Sequence, residues 1–180
     1  AFTPELFVAG IASAAPADLE RAFTEVTTHN NPEEASLDAV FKHFVADQTD
    51  HQALKELRAQ SPLTHVDKVT KPLLLIAGGK DKKVSYASVK DYFLKAKKQN
   101  KDISFIVDKK AGHGFHDVDM KLALSEVIEA FWSFHFGLDL QPAITPESTS
   151  YLMKHVKYES ASFHHIYNQK APHQAGLLSI

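Results

Sequence analysis

Residues Pro72-Leu73-Leu74-Leu75-Ile76-Ala77 form an unbroken apolar run closed by Gly78-Gly79, and no other stretch restricts the fold so tightly. A strand with one face in water alternates apolar and polar side chains. A run without alternation fits a parallel strand covered on both faces. The following segments agree with that reading. Tyr86 to Asn100 places Val89, Phe93 and Ala96 at helical spacing with lysines on the other face. Ile103-Ser104-Phe105-Ile106-Val107 then reads as a second strand. From Asp119 a further helix runs through Leu124, Ile128, Phe131 and His135 to Gly137, a residue suited to a C-terminal cap. Strand and helix alternate, which predicts the α/β class: three layers, with a mainly parallel sheet and flanking helices.

The flanks are read by the same rules. Phe7-Val8-Ala9-Gly10-Ile11-Ala12 fits a short buried strand ended by Pro16. Asn31-Pro32-Glu33-Glu34 is a helix start, with Asn as cap and Pro at the first helical position. Leu37, Val40, Phe41, Phe44 and Val45 follow on one face. Asp50 is expected to cap a helix through Leu54 and Leu57 that stops at Ser61-Pro62. Beyond Gly137 the character changes. Residues 138–149 contain Pro142 and Pro146 and read as a linker. Thr145-Pro146-Glu147 can open one more helix, with Leu152, Val156, Phe163, Ile166 and Tyr167 roughly on one face. Residues 138–180 are thus expected to be a linker and a helical tail.

The chemistry centres on Asp81, in the string GGKDKKV, and His113, in the string AGHGF. Each string reads as the turn leaving the carboxyl end of a core strand, where ligands and catalytic groups gather in α/β folds. Glycines on both sides of His113 let a tight loop present the imidazole. An imidazole that shuttles a proton and a carboxylate that orients it are two members of a nucleophilic hydrolase triad. Asp before His is the order that α/β-hydrolases use after their serine. The serine itself is absent, since no glycine of the chain begins a G-x-S-x-G. A plainer reading of Asp81 also stands: Gly-Gly-x-Asp after a strand is a common way to turn and cap the next helix.

Composition narrows the remaining options. At 180 residues, one domain with a sizeable core is the natural expectation, and 44% hydrophobic with 23% charged residues is ordinary for a globular protein. A net charge of −2 argues against nucleic acid or an anionic membrane as the main partner. No run of about 18 apolar residues is present to span a bilayer, and no signal peptide follows Ala1. The compartment is not readable. No cysteine exists for a disulfide, a thiolate metal site or a cysteine nucleophile. His113, His116, Asp117 and Asp119 lack the spacing of a strong zinc signature, so neither a metal nor a cofactor is expected. Lys80, Lys82 and Lys83 with Lys95, Lys97 and Lys98 fit a solvated face better than a phosphate site.

From Glu5 to Gly137 the chain resembles the C-terminal part of the prolyl oligopeptidase family's catalytic domain. The matching pieces are Leu6-Phe7-x-Ala9-x-Ile11-Ala12 and Ser61-Pro62-Leu63-x-His65, with Val69 and Pro72-x-Leu74. Gly78-x-x-Asp81-x-x-Val84 and Gly112-His113-Gly114-Phe115 follow, then the closing amphipathic helix. The chain departs from the family's pattern at Ala77-Gly78, where His-Gly is usual, and at Lys83-Val84-Ser85, where Arg-Val-Pro is usual. The resemblance implies an α/β-hydrolase fold over residues 1–137 and a serine peptidase in which Asp81 and His113 are catalytic. It also implies partners: a peptide substrate in the full-length protein, an upstream β-propeller, and the half of the domain that carries the nucleophile. By itself this chain is expected to be inactive. A homo-oligomer is expected, most simply a two-fold dimer that covers the strand near Val8 to Ala12 or exchanges the Pro146 to Lys170 segment. The alternative class is a non-catalytic α/β interaction module that binds through its tail. An esterase built on Ser13, Ser61 or Ser85 lacks the flanking glycines of a nucleophile elbow.

Overall fold

The computed structural model describes residues 3–26, 43, 45, 47, 49–138 and 144–170. The helix start at Asn31 and the face from Leu37 to Phe44 fall outside those residues. Three parallel strands run side by side: β1 (Gly10–Ser13), β2 (Leu73–Gly78) and β3 (Ile103–Asp108). A short fourth strand, β4 (Val156–Tyr158), joins β3 antiparallel, which completes a sheet of order β1-β2-β3-β4. Helices α1 (Leu19–Val26), α2 (His51–Gln60) and α3 (Tyr86–Lys98) occupy the connections, with a 3-10 stretch at Pro62–Lys68. The chain continues through α4 (Val118–Phe136), α5 (Pro146–His155) and, after β4, α6 (Ala161–Lys170).

The unalternating run of β2 has the cause its composition implied. Leu74 and Ile76 face one layer, with Ile106 of β3 and Met120, Val127 and Phe131 of α4. Leu75 and Ala77 face the other, with Phe105, Val89 and Phe93. Each fully buried large apolar side chain contributes about 1.5–3 kcal/mol of transfer free energy, so both faces act as core. Local signals place the helix ends. Asp50 caps α2 by accepting the N–H groups of Gln52 and Ala53. Gly137, at φ 63°, ends α4, and the Leu138 N–H bonds back to Ser133 O.

Two expectations are corrected. The first strand begins at Gly10, not near Phe7, because the Gly10 N–H bonds to Pro72 O and its partner strand starts only at Leu73. Among the described residues no strand pairs with those before Gly10, and Leu6, Phe7 and Val8 are exposed. The tail is also not one helix. Val156 to Tyr158 are extended against Ile106 and Phe105, splitting the segment into α5, β4 and α6. Its apolar residues still point inward, since Leu152, Phe163 and Ile166 join the α4 core. The start of α6 is fastened to β3 by Ser160 N–H to Ser104 Oγ at 3.0 Å. Ser162 Oγ–H adds a bond to Asp102 at 2.9 Å.

The tail therefore covers the β3 side of the sheet, and among the described residues no strand pairs with the outer edge of β1. A ladder edge that no described strand pairs, beside the exposed Leu6, Phe7 and Val8, invites pairing with another chain. We expect this chain to self-associate there, with the light-scattering mass rising toward twice the monomer value as concentration increases. A monomer at every concentration would refute this. Among the described residues, no helix is long and apolar enough to cross a membrane.

Candidate active site

β2 and β3 end side by side, with Gly78 opposite Asp108, so the turns that follow leave the same edge of the sheet. Gly79 N–H donates to Asp108 O at 2.7 Å, and Lys80 N–H donates to Ala111 O at 2.8 Å. The two turns are thus laced together by backbone bonds before any side chain acts. This approach requires a glycine at 78, where a Cβ would collide with the backbone oxygens of Gly112 and Ala111. Asp81 and His113 project from these turns, and the structure brings them together: His113 Nδ1 lies 3.0 Å from Asp81 Oδ2.

The carboxylate is divided between two tasks. Its Oδ1 accepts the N–H groups of Lys83 and Val84 at 2.8 and 2.9 Å, which fixes the turn. Its Oδ2 is left for the imidazole. Oδ1 meets the plain turn-forming reading of Asp81, and Oδ2 has the contact that the acid reading requires. The Asp81 side chain is only 2% exposed, whereas that of His113 is 42% exposed. A buried orienting carboxylate under an accessible imidazole can hold the Nδ1–H tautomer and leave Nε2 free to take and return a proton.

No serine hydroxyl hydrogen-bonds His113 among the described residues. Ser61 is buried and committed elsewhere: its hydroxyl donates to Leu57 O at 2.9 Å and accepts the Leu19 N–H at 2.8 Å. Ser13 ends β1, and Ser85 precedes α3. The neighbours of His113 are otherwise engaged. Asp117 caps α4 by accepting the Met120 N–H at 3.0 Å, and the His116 ring lies against Gly114. Among the described residues, no three potential metal ligands converge. Of the lysines read as a solvated face, Lys95 donates to Leu63 O and Lys97 lies over the Tyr158 ring.

The sequence reading passed over Asp108. This buried residue closes β3, and its Oδ2 accepts the Tyr151 hydroxyl of α5 at 2.9 Å. Burial alone would raise its carboxyl pKa. The N–H of Lys110, the Tyr151 hydroxyl, the nearby His155 and the Ala111 N–H outweigh that, holding it below the ordinary carboxylate range. Burial, the bond to Asp108 and the charge of Asp108 push the Tyr151 phenol up. An acidic residue ending an otherwise apolar strand, just before the His loop, was the available signal.

A parallel sheet that delivers an Asp and then a His from the carboxyl ends of consecutive strands is the C-terminal half of an α/β-hydrolase fold. Solved structures agree at the level of fold. An acylaminoacyl peptidase of Pyrococcus horikoshii matches with a TM-score of 0.57 at 20% identity, over 72% of this chain and 20% of that one. A puromycin-hydrolyzing peptidase of Mycobacterium tuberculosis matches with a TM-score of 0.59 at 20% identity, over 73% of this chain and 19% of that one. The chain belongs to the prolyl oligopeptidase family, whose sequence pattern it matches over residues 1–139. It is 25% identical to dipeptidyl peptidase family member 6 of Caenorhabditis elegans, over 89% of this chain and 22% of that protein. It is 29% identical to dipeptidyl aminopeptidase BIII of Pseudoxanthomonas mexicana, over 78% of this chain and 20% of that protein. The chain thus spans about a fifth of the length of these relatives.

Proposed function

We infer that this chain supplies the acid and base of a serine-type peptidase whose nucleophile lies outside these 180 residues. The observation that carries the reading is the 3.0 Å contact between His113 Nδ1 and Asp81 Oδ2, at the laced carboxyl ends of β2 and β3. In the reaction, His113 Nε2 takes the proton of the attacking serine hydroxyl while the serine oxygen bonds the scissile carbonyl carbon. His113 then gives that proton to the departing amine. Asp81 stays ionised and stabilises the imidazolium between the two steps. Water repeats the cycle on the acyl-enzyme, with His113 first as base and then as acid. The substrate is a peptide, and the names of the curated relatives favour release of dipeptides from its amino end. A propeller and the nucleophile half of the catalytic domain are the partners this reading requires.

Without the serine, the acid and base retain little of the rate, because triad members act as a unit. A fluorophosphonate, which phosphonylates activated serines, should therefore leave the chain unlabelled. When the chain is extended upstream to include a G-x-S-x-G, about 25 to 45 residues before Ala1 by typical connection lengths, the added serine should label. Stoichiometric labelling of Ser13 or Ser85 in the shorter chain would overturn the reading and favour an esterase.

A further inference from the structure

The tail's grip on β3 reaches the acid–base pair. One face of α5 holds the last two residues of the strand: Tyr151 donates its hydroxyl to Asp108 at 2.9 Å, and His155 Nδ1 lies 3.2 Å from Val107 O. The Tyr151 and His155 rings stack at 4.1 Å, so the two contacts form one unit. From Asp108 the bonds run onward. Its Oδ1 accepts the Lys110 N–H at 2.7 Å, and its carbonyl accepts the N–H groups of Gly79 and Ala111. Ala111 in turn holds Lys80 of the Asp81 turn. Asp108 is thus the point where the Asp81 turn, the His113 loop and the tail are tied together.

Ala111 and Phe115 pack against the α4 core on either side of His113, but the middle of the loop is less supported. A cavity of about 270 Å³ lies beside it, bounded by Asp108, Gly112, Gly114, His116 and Met120, so apolar packing does not fix that side. A loop placed by hydrogen bonds moves when those bonds are lost. Burying an ionised carboxylate is costly, and an apolar pair would dock α5 onto β3 without that cost. The carboxylate adds a directional hold on loop N–H groups, which apolar packing cannot supply. We propose that Tyr151 is a positioning residue for the acid–base pair, setting through Asp108 where His113 stands relative to Asp81. The proposal rests on the acid–base reading of that pair. Catalytic groups must be held within about 0.5 Å of their working geometry, so a loosened loop is felt in the chemistry.

The test uses this 180-residue chain and needs no turnover. The readout is the proton NMR signal of the hydrogen-bonded His113 Nδ1–H, identified by its loss in His113→Gln. Asp81→Asn should also abolish it. Tyr151→Phe removes one hydroxyl and should keep the fold, yet broaden or shift this signal. It should also speed amide exchange at Lys110 and Ala111 about tenfold or more, as a local opening would. Asp108→Asn should do the same, and it provides the reading if Tyr151→Phe does not fold. Thr145→Ala weakens the cap of α5 without touching Asp108, and should leave the His113 signal in place. An unchanged His113 signal in both Tyr151→Phe and Asp108→Asn would overturn the positioning role while leaving the acid–base reading intact. An equal shift in Thr145→Ala would also overturn it, by reducing Tyr151 to a helix anchor. A wild-type signal that Asp81→Asn does not alter would remove the acid–base reading and the proposal together.

Discussion

Asp81→Asn, introduced into a chain extended upstream to include the proposed serine, is expected to lower kcat about 10⁴-fold, the magnitude found when a triad Asp becomes Asn. The fold should persist. The Asn Oδ1 can still accept the N–H groups of Lys83 and Val84, which is the half of the Asp81 carboxylate that forms the turn. The other half changes sign. Where Oδ2 now accepts from His113 Nδ1 at 3.0 Å, an Nδ2–H₂ group would donate. The imidazole would then carry its proton on Nε2 and could not receive the serine's. A tautomer error of this kind acts on the chemical step, so KM should change far less than kcat. Thermal melts would verify that the fold is retained, and steady-state kinetics would measure the loss. A loss below about tenfold would mean that Asp81 is only a turn residue.

That outcome bears on how much of the site the sequence contained. β2 was legible because burial on both faces erases alternation, and Pro72 and Gly78-Gly79 bound a run too short for a buried helix. Asp81 and His113 were legible because glycines mark the tight turns that present them. A turn role and an acid role for Asp81 could be named separately, but only geometry puts the turn N–H groups on one oxygen and the imidazole on the other. β4 was not legible. Three residues cannot declare a period, and Val156 falls as well on the helical face shared by Leu152 and Phe163 as on a strand. The Tyr151–Asp108 bond joins positions 43 residues apart through a helix whose docking no local rule fixes. The bounds of β1 failed for a related reason. An apolar run reports burial, whereas a strand begins where its partner begins, here at Leu73.

The contact between the two turns leads to the second large expected effect. Gly78→Ala should destabilise the chain by about 3 kcal/mol or more, at the upper end of overpacking costs. The backbone at Gly78 is not in the left-handed region, so φ is no obstacle to a side chain there. The obstacle is space. A Cβ at this position would stand 2.6 Å from Ala111 O and closer still to Gly112 O. Both are backbone atoms of the loop that presents His113, so neither can swing aside as a side-chain tip would. Relief requires the loops to separate, which breaks the Lys80 N–H bond to Ala111 O and draws His113 away from Asp81. Gly137→Ala is the internal control. That residue sits at φ 63° with nothing within 4 Å of a Cβ, so its cost is conformational, about 1 kcal/mol. Urea titrations of the two variants, compared at equal m-value, separate the two mechanisms. The His113 Nδ1–H signal should vanish in Gly78→Ala and survive in Gly137→Ala. If Gly78→Ala costs no more than Gly137→Ala, the close approach of the turns does not hold in solution. The backbone lacing that sets the distance between Asp81 and His113 would then be absent as well.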